Sequence, residues 1–192
     1  MKDLFRFVLI STFVLCSCKR THLDTPLFQH PERFEALDEV IQYEKDVIPL
    51  LIDKIADTTV TNVGLLDPLS SYIDPLYYSV CKNNCRGIYY AHLIDYYLSY
   101  TSEIDSIYKQ LSKLPEFTEK RRFFYHRPYD LSVIVRLDDD EHVIPRPLSA
   151  EEMLAVQQQY LEWWEKCRQL PLEQLKDYFA KEGILSFPFK WI

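Results

Sequence analysis

Three glycines in 192 residues are the tightest constraint on this chain. Sheets built from tight hairpins need glycine where φ is positive, and phosphate-cradling loops need it where backbone approaches a ligand closely. With so few, a barrel or sandwich of many short turns is disfavoured, and so is a glycine-rich nucleotide loop. Apolar residues recur instead at helical spacing over several stretches. The expected fold is mainly α: a single compact helical domain of about five to six helices, with a small β-strand or hairpin element near 131–145.

The first eighteen residues, MKDLFRFVLISTFVLCSC, are set apart from that body. Lys2 and Arg6 make a basic start, Phe7 to Leu15 is an apolar run, and Leu15-Cys16-Ser17-Cys18 follows. The run is too short to span a bilayer, which takes about 20 apolar residues, and its order of parts is that of an export signal. The last four residues resemble the bacterial lipobox, an aliphatic residue and two small ones before a cysteine. Cys16 is an unusual second residue, and Asp3 departs from the usual basic start. The resemblance implies that residues 1–17 are a cleaved signal peptide and that Cys18 is lipidated. It also implies that residues 18–29 form an anchor and tether, with 30–192 as the folded domain. Each buried methylene adds about 0.8 kcal/mol, so several acyl chains hold a body on a membrane. The implied location is the cell envelope, on the periplasmic side or the cell surface.

A formal net charge of −7 disfavours nucleic acid as the main partner, because phosphate binding draws on clustered Lys and Arg. With Cys16 removed and Cys18 lipidated, Cys81, Cys85 and Cys167 are left. A disulfide is permitted outside the cytoplasm, and Cys81 and Cys85 are candidates to close a small loop. Cys167 is an alternative partner for either, and spacing does not settle the pairing.

Along the body, Pro31 sits in the first turn of a helix carrying Phe34, Leu37, Val40 and Ile41 on one face. Asp46 is placed to cap a second helix, Val47 to Ala56. This pair, with DVIPLLIDKIAD as its second arm, resembles one HEAT-type hairpin; no repeat at the expected period extends it into a solenoid. Residues 57–80 are irregular, with Asp67-Pro68, Asp74-Pro75 and many apolar side chains, and read as an interaction surface packed against the body. Asn84 is the expected cap of a helix from Arg86 to Tyr100, and a further helix is expected over Glu103 to Lys113. Gly87 and Ala91, four apart on the first of these, suit close helix approach.

LSVIVRL, residues 131–137, is a strand by its β-branched content. A hairpin back through HVIPRP would have its second arm cut short by Pro145 and Pro147. Ser149 and Glu152 form a capping box for a helix reaching about Arg168, with Met153, Val156, Tyr160, Trp163, Trp164 and Cys167 on its apolar face. A last helix, Leu172 to Lys181, stops at Gly183, and the apolar ending LSFPFKWI is expected to dock on the body.

No catalytic signature stands out. Tyr89, His92, Tyr96 and Tyr100 share a helix face, and His92, Tyr96 and Asp95 are the residues best placed for acid–base chemistry. The plainer reading is an amphipathic face packed under a loop. Cys81, Cys85 and His92 do not have zinc-site spacing, so no metal and no cofactor are expected. Ser70 and Ser71 lack the elbow that exposes a hydrolase nucleophile. Asp138 to Glu141 lacks the alternating ligands of a calcium loop and reads as a solvated turn. Trp163 and Trp164 point about 100° apart on a helix and cannot form one flat sugar platform.

Arg121, Arg122 and Arg127, interleaved with Phe124 and Tyr125, make a candidate binding patch, since Arg and aromatics dominate interface hot spots. The competing reading is an ordinary core edge with snorkelling Arg stems. The stretches IPLLIDKIADTTVTN, GIYYAHLIDYYLS and LSAEEMLAVQQQYLEWWEKC resemble small helical envelope lipoproteins, a resemblance that brings no activity with it. The expected function is therefore a membrane-anchored, non-enzymatic, protein-binding lipoprotein, with an immunity or inhibitor protein as one version. The alternatives are an envelope enzyme with a site around His92, or a structural or assembly lipoprotein.

Overall fold

The computed structural model describes residues 25–32, 34–61, 85–101, 106 and 133–192. These form α1 (Pro26–Gln29), α2 (Phe34–Val40), α3 (Val47–Ile52), α4 (Arg86–Ser99), β1 (Ile134–Arg136), α5 (Ala150–Cys167), α6 (Leu172–Glu182) and β2 (Phe189–Trp191). The described part is mostly helical with a small antiparallel two-stranded sheet. Of the helix expected over 103–113 only Ser106, which is helical, is described, and most of the irregular stretch 57–80 lies outside the described residues.

α4 is the axis of the fold. It is buried on nearly every side, with Ile88, Tyr89, Tyr90, His92, Leu93, Ile94, Tyr96, Tyr97 and Leu98 all in the interior. It packs on α2, α3 and α6. This corrects the expectation of an amphipathic helix with one face under a loop. A helix apolar all round belongs in the centre, and tyrosine supplies apolar area while carrying a hydroxyl that must find an acceptor. Tyr90 Oη donates to the Phe28 carbonyl at 2.6 Å and Tyr97 Oη to the Tyr43 carbonyl at 3.2 Å. Both bonds tie the axis to the N-terminal helices.

Gly87 permits the closest approach. A Cβ there would lie 1.9 Å from the Ile55 carbonyl oxygen and 2.7 Å from Met153 Cε. The Gly87 N–H donates to the Asp57 carbonyl and that of Arg86 to Thr59, which satisfies two open donors of the first turn. Cys85, not Asn84, occupies the cap position.

The N-terminal boundary also shifts. Leu27 and Phe28, placed in the tether by sequence, sit in the core on α1. Leu27 N–H donates to Glu39 Oε2, which pins that turn to α2. Asp46 stands before α3 but its side chain makes no capping bond, because its own backbone is already helical and turns the carboxyl away from the free amides. α3 itself ends at Ile52, followed by turns to Ala56.

The capping box forms as expected. Ser149 Oγ accepts from the Glu152 N–H at 3.2 Å, and Glu152 Oε2 accepts from the Ser149 N–H at 2.7 Å. The Glu152 carboxylate also takes Arg136 at 2.9 Å and Arg146 at 2.6 and 2.7 Å. Those guanidinium hydrogen bonds hold its carboxyl far below the usual carboxylate range. Met153, Val156, Tyr160, Trp163, Trp164 and Cys167 are buried along α5.

The strand near 131–137 finds a different partner from the nearby one. β1 pairs antiparallel with β2 at the far end of the chain, with Ile134 opposite Trp191, Val135 opposite Lys190 and Arg136 opposite Phe189. The anticipated hairpin survives as one bridge, Leu137 to Val143, around the turn 138–142. Pro145 and Pro147 supply no N–H to extend it.

Candidate functional site

Behind β2, a cavity of about 270 Å³ lies between α4, α6 and the chain that connects α6 to β2. α4 contributes His92 and Asp95, one turn apart on the same face. Phe179 enters from α6, Ile184 and Leu185 from the turn after it, and Lys190 and Trp191 from β2. Gly183, with φ 65°, ends α6 at the cavity edge; its N–H returns to the Phe179 carbonyl at 2.8 Å. The connecting chain is held by a side-chain amide on α5: Gln159 Nε2 donates to the Ser186 carbonyl, and Gln159 Oε1 accepts from the Ser186 N–H.

Asp95 is the chemical centre of this space. Its Oδ1 accepts from the Tyr160 hydroxyl at 2.9 Å, a bond between α4 and α5. Burial raises its carboxyl from the ordinary value to about 7; the Tyr160 hydroxyl and the Trp191 indole N–H work against that rise. Trp191 Nε1 approaches without the alignment of a full hydrogen bond, so Tyr160 is the structural partner. Tyr160, with no exposed surface, is pushed well above the usual phenol range by burial first and then by the adjacent carboxyl. Asp95 keeps a small exposed surface, and that surface opens on the cavity. Among the described residues no cation forms an ion pair with it.

His92 is buried and meets the Trp191 ring edge-on, with centroids 6.0 Å apart at 70°. Tyr96 and Tyr100 pack together one turn further on, with ring centroids 5.8 Å apart. Of the three acid–base candidates, His92 and Asp95 therefore share the cavity lining, and Tyr96 is not part of it. Lys190 and Tyr160 were not singled out by sequence as site residues. Tyr160 reads as one more core position on α5, and Lys190 depends on where the last strand docks.

The other candidates fall elsewhere. Cys18, Cys81, Ser70, Ser71 and the patch Arg121, Arg122, Phe124, Tyr125 and Arg127 lie outside the described residues, so the Cys81–Cys85 pairing does too. Cys85 and Cys167 are buried, and burial raises both thiols, Cys167 to about 11. A thiol so placed is a poor nucleophile and a poor metal ligand. No group of three or more His, Cys, Asp or Glu side chains suited to a metal ion occurs among the described residues. Asp138 Oδ1 accepts from the Asp140 and His142 amides, which makes the acidic run a self-satisfied exposed turn. Trp163 and Trp164 are both buried, with rings tilted by 34°, and Trp163 meets Phe179 edge-on.

No helix among the described residues is long and apolar enough to cross a membrane. No protein-family profile matches this chain, and no match is found among curated proteins or solved structures.

Proposed function

We propose that this chain is a lipid-anchored, non-enzymatic binding protein of the cell envelope. In this reading residues 1–17 are removed, Cys18 carries the anchor, and one compact, mainly helical domain of about five to six helices does the binding. The observation that carries the binding role is the make-up of the cavity. Its walls are largely apolar, and a few polar groups (His92, Asp95, Lys190) converge on it, which is how small binding sites are built. The acidic balance supports partners other than nucleic acid. A protein partner engaging Arg121, Arg122, Phe124, Tyr125 and Arg127 belongs to the same proposal, with an immunity or inhibitor protein as its concrete form.

Two measurements test it. Cys18→Ala releases the body from membrane fractions; retention with unchanged strength overturns the anchor. Capture of envelope partners from intact cells, repeated with Arg121, Arg122 and Arg127 changed together to Ala, loses a specific partner if that patch binds. An unchanged set of partners removes the patch from the proposal. Deletion that is harmless beside a co-encoded toxin removes the immunity form.

One observation favours a second reading, an envelope enzyme. Asp95 sits in a cavity with His92 and has a carboxyl at about 7, a range suited to proton transfer near neutral pH. Turnover of any substrate by the intact chain that Asp95→Asn abolishes, with the fold retained, would establish that reading in place of the first.

A further inference from the structure

Among the described residues, Asp95 is a buried carboxyl that no cation pairs with. It is the acidic group of a mostly apolar cavity, and one of its oxygens is already held by Tyr160. A carboxylate taken out of water is costly until a cation meets it. Lys190 reaches the rim of the cavity from β2, but it is exposed and makes no ion pair with Asp95. The rings of Phe179 and Trp191 line the same cavity, and the faces of such rings attract cations. The whole chain, at −7, draws cations toward it.

We propose that this cavity binds a small primary amine with an apolar, aromatic-sized body, the ammonium seated on Asp95 and the body against Phe179, Ile184 and Trp191. The assignment rests on reading the cavity as a binding site and is independent of the lipid anchor. The shape of the space supports the division of labour: about 270 Å³ takes a single ring with a short arm, and Ile184 and Leu185 complete an apolar wall. Tyr160 orients the carboxylate before the ligand arrives, which removes an ordering cost from binding. An anionic ligand fits less well. It would meet Asp95 head-on and find its cation in Lys190, whose ammonium is already solvated. Burial raises the Asp95 carboxyl, and a seated ammonium favours its ionised form.

The test is calorimetric titration of the full chain at a pH above the Asp95 range with three probes of one shape: phenethylamine, 2-phenylethanol and 3-phenylpropionate. Phenethylamine is expected to bind saturably, one per chain, and about tenfold or more tighter than the other two. Asp95→Asn keeps an acceptor for Tyr160 and is expected to erase the amine preference. A carboxyl-carbon NMR titration of the unmodified chain gives a reading that needs no variant: phenethylamine lowers the Asp95 midpoint. Tighter binding of the alcohol or the carboxylate overturns the amine assignment while leaving the cavity a binding site. Absence of binding by all three probes overturns both. Amine binding that Asp95→Asn leaves intact places the ammonium elsewhere and also overturns the proposal.

Discussion

The Tyr160 hydroxyl donates to Asp95 Oδ1 at 2.9 Å and so joins the central helix α4 to α5 through a group that is costly to ionise. The consequence for stability has a definite sign. Asp95 holds its proton more tightly folded, at about 7, than its ordinary 3.8, so the folded state binds more protons between those values. Stability is therefore highest near the low end of that window and falls as pH rises toward 7, by at most about 4 kcal/mol. Burial, Tyr160 and Trp191 set the midpoint, and His92 and Lys190 share the cavity with the group. Urea unfolding at a series of pH values checks this: Asp95→Asn is expected to flatten the decline between pH 4 and 7. Tyr160→Phe removes a donor that favours the ionised form and is expected to move the midpoint higher still.

Glu152 works on the opposite side of the scale. Its folded carboxyl is held well below the ordinary range by Arg146, the Ser149 amide and Arg136. Its contribution is complete above the unfolded value of about 4.5 and is lost as pH falls toward the folded one. The two roles of this side chain separate by substitution. Glu152→Gln keeps a side chain able to close the capping box but loses the ionic pairing, at about 1–2 kcal/mol because both Arg partners are half exposed. Glu152→Ala also loses the reciprocal cap and leaves Arg136 and Arg146 without their acceptor, about 3 kcal/mol in all. Denaturant midpoints with unchanged m-values distinguish the two.

Gly87→Ala tests the approach of α5 and of the turn after α3 to the axis. The new methyl would collide with the Ile55 carbonyl at 1.9 Å, a backbone atom that cannot swing aside as a side-chain end does. Helix propensity alone favours alanine by about 1 kcal/mol, so any net loss reports the clash. A destabilisation of about 2–3 kcal/mol is expected, with early loss of the Arg86 and Gly87 amide protection in hydrogen exchange.

What was legible in the sequence was local. The capping box of α5, its buried face and the stop of α6 at Gly183 all follow from residues within a few positions of one another. The misplaced features depend on distant partners. Helix ends are closed by side chains distant in sequence: Gln157 Nε2 donates to the Ile52 and Asp53 carbonyls, Lys45 Nζ to those of Arg168 and Leu170, and Lys176 Nζ to that of Tyr100. None of these has a spacing signal. The reading of α4 as amphipathic failed because tyrosine counts as polar or apolar according to whether a carbonyl waits for its hydroxyl. The cavity was half legible: His92 and Asp95 lie on one helix, whereas Tyr160, Lys190 and Trp191 reach it only through tertiary packing.

The docking of the C-terminal strand carries the last prediction. β2 supplies both the partner of β1 and the Trp191 and Lys190 edge of the cavity, and the Val133 and Ile192 amides and carbonyls exchange two bonds at 3.0 Å beyond it. Phe189 is its buried anchor, opposite Arg136. Phe189→Ala is expected to cost about 3–5 kcal/mol if the space stays open, and less if the strand settles inward. Removal of residues 189–192 does more, because it bares the β1 edge and the apolar Val133, Ile134 and Val135 together. An uncovered apolar edge is a template for pairing with another chain. The truncated protein is therefore expected to associate in a concentration-dependent way, seen by light scattering, and to lose the edge-on shift of the His92 ring protons that Trp191 imposes. A truncated chain that stays monomeric with the His92 signals unmoved would show that β2 does not hold this side of the domain together.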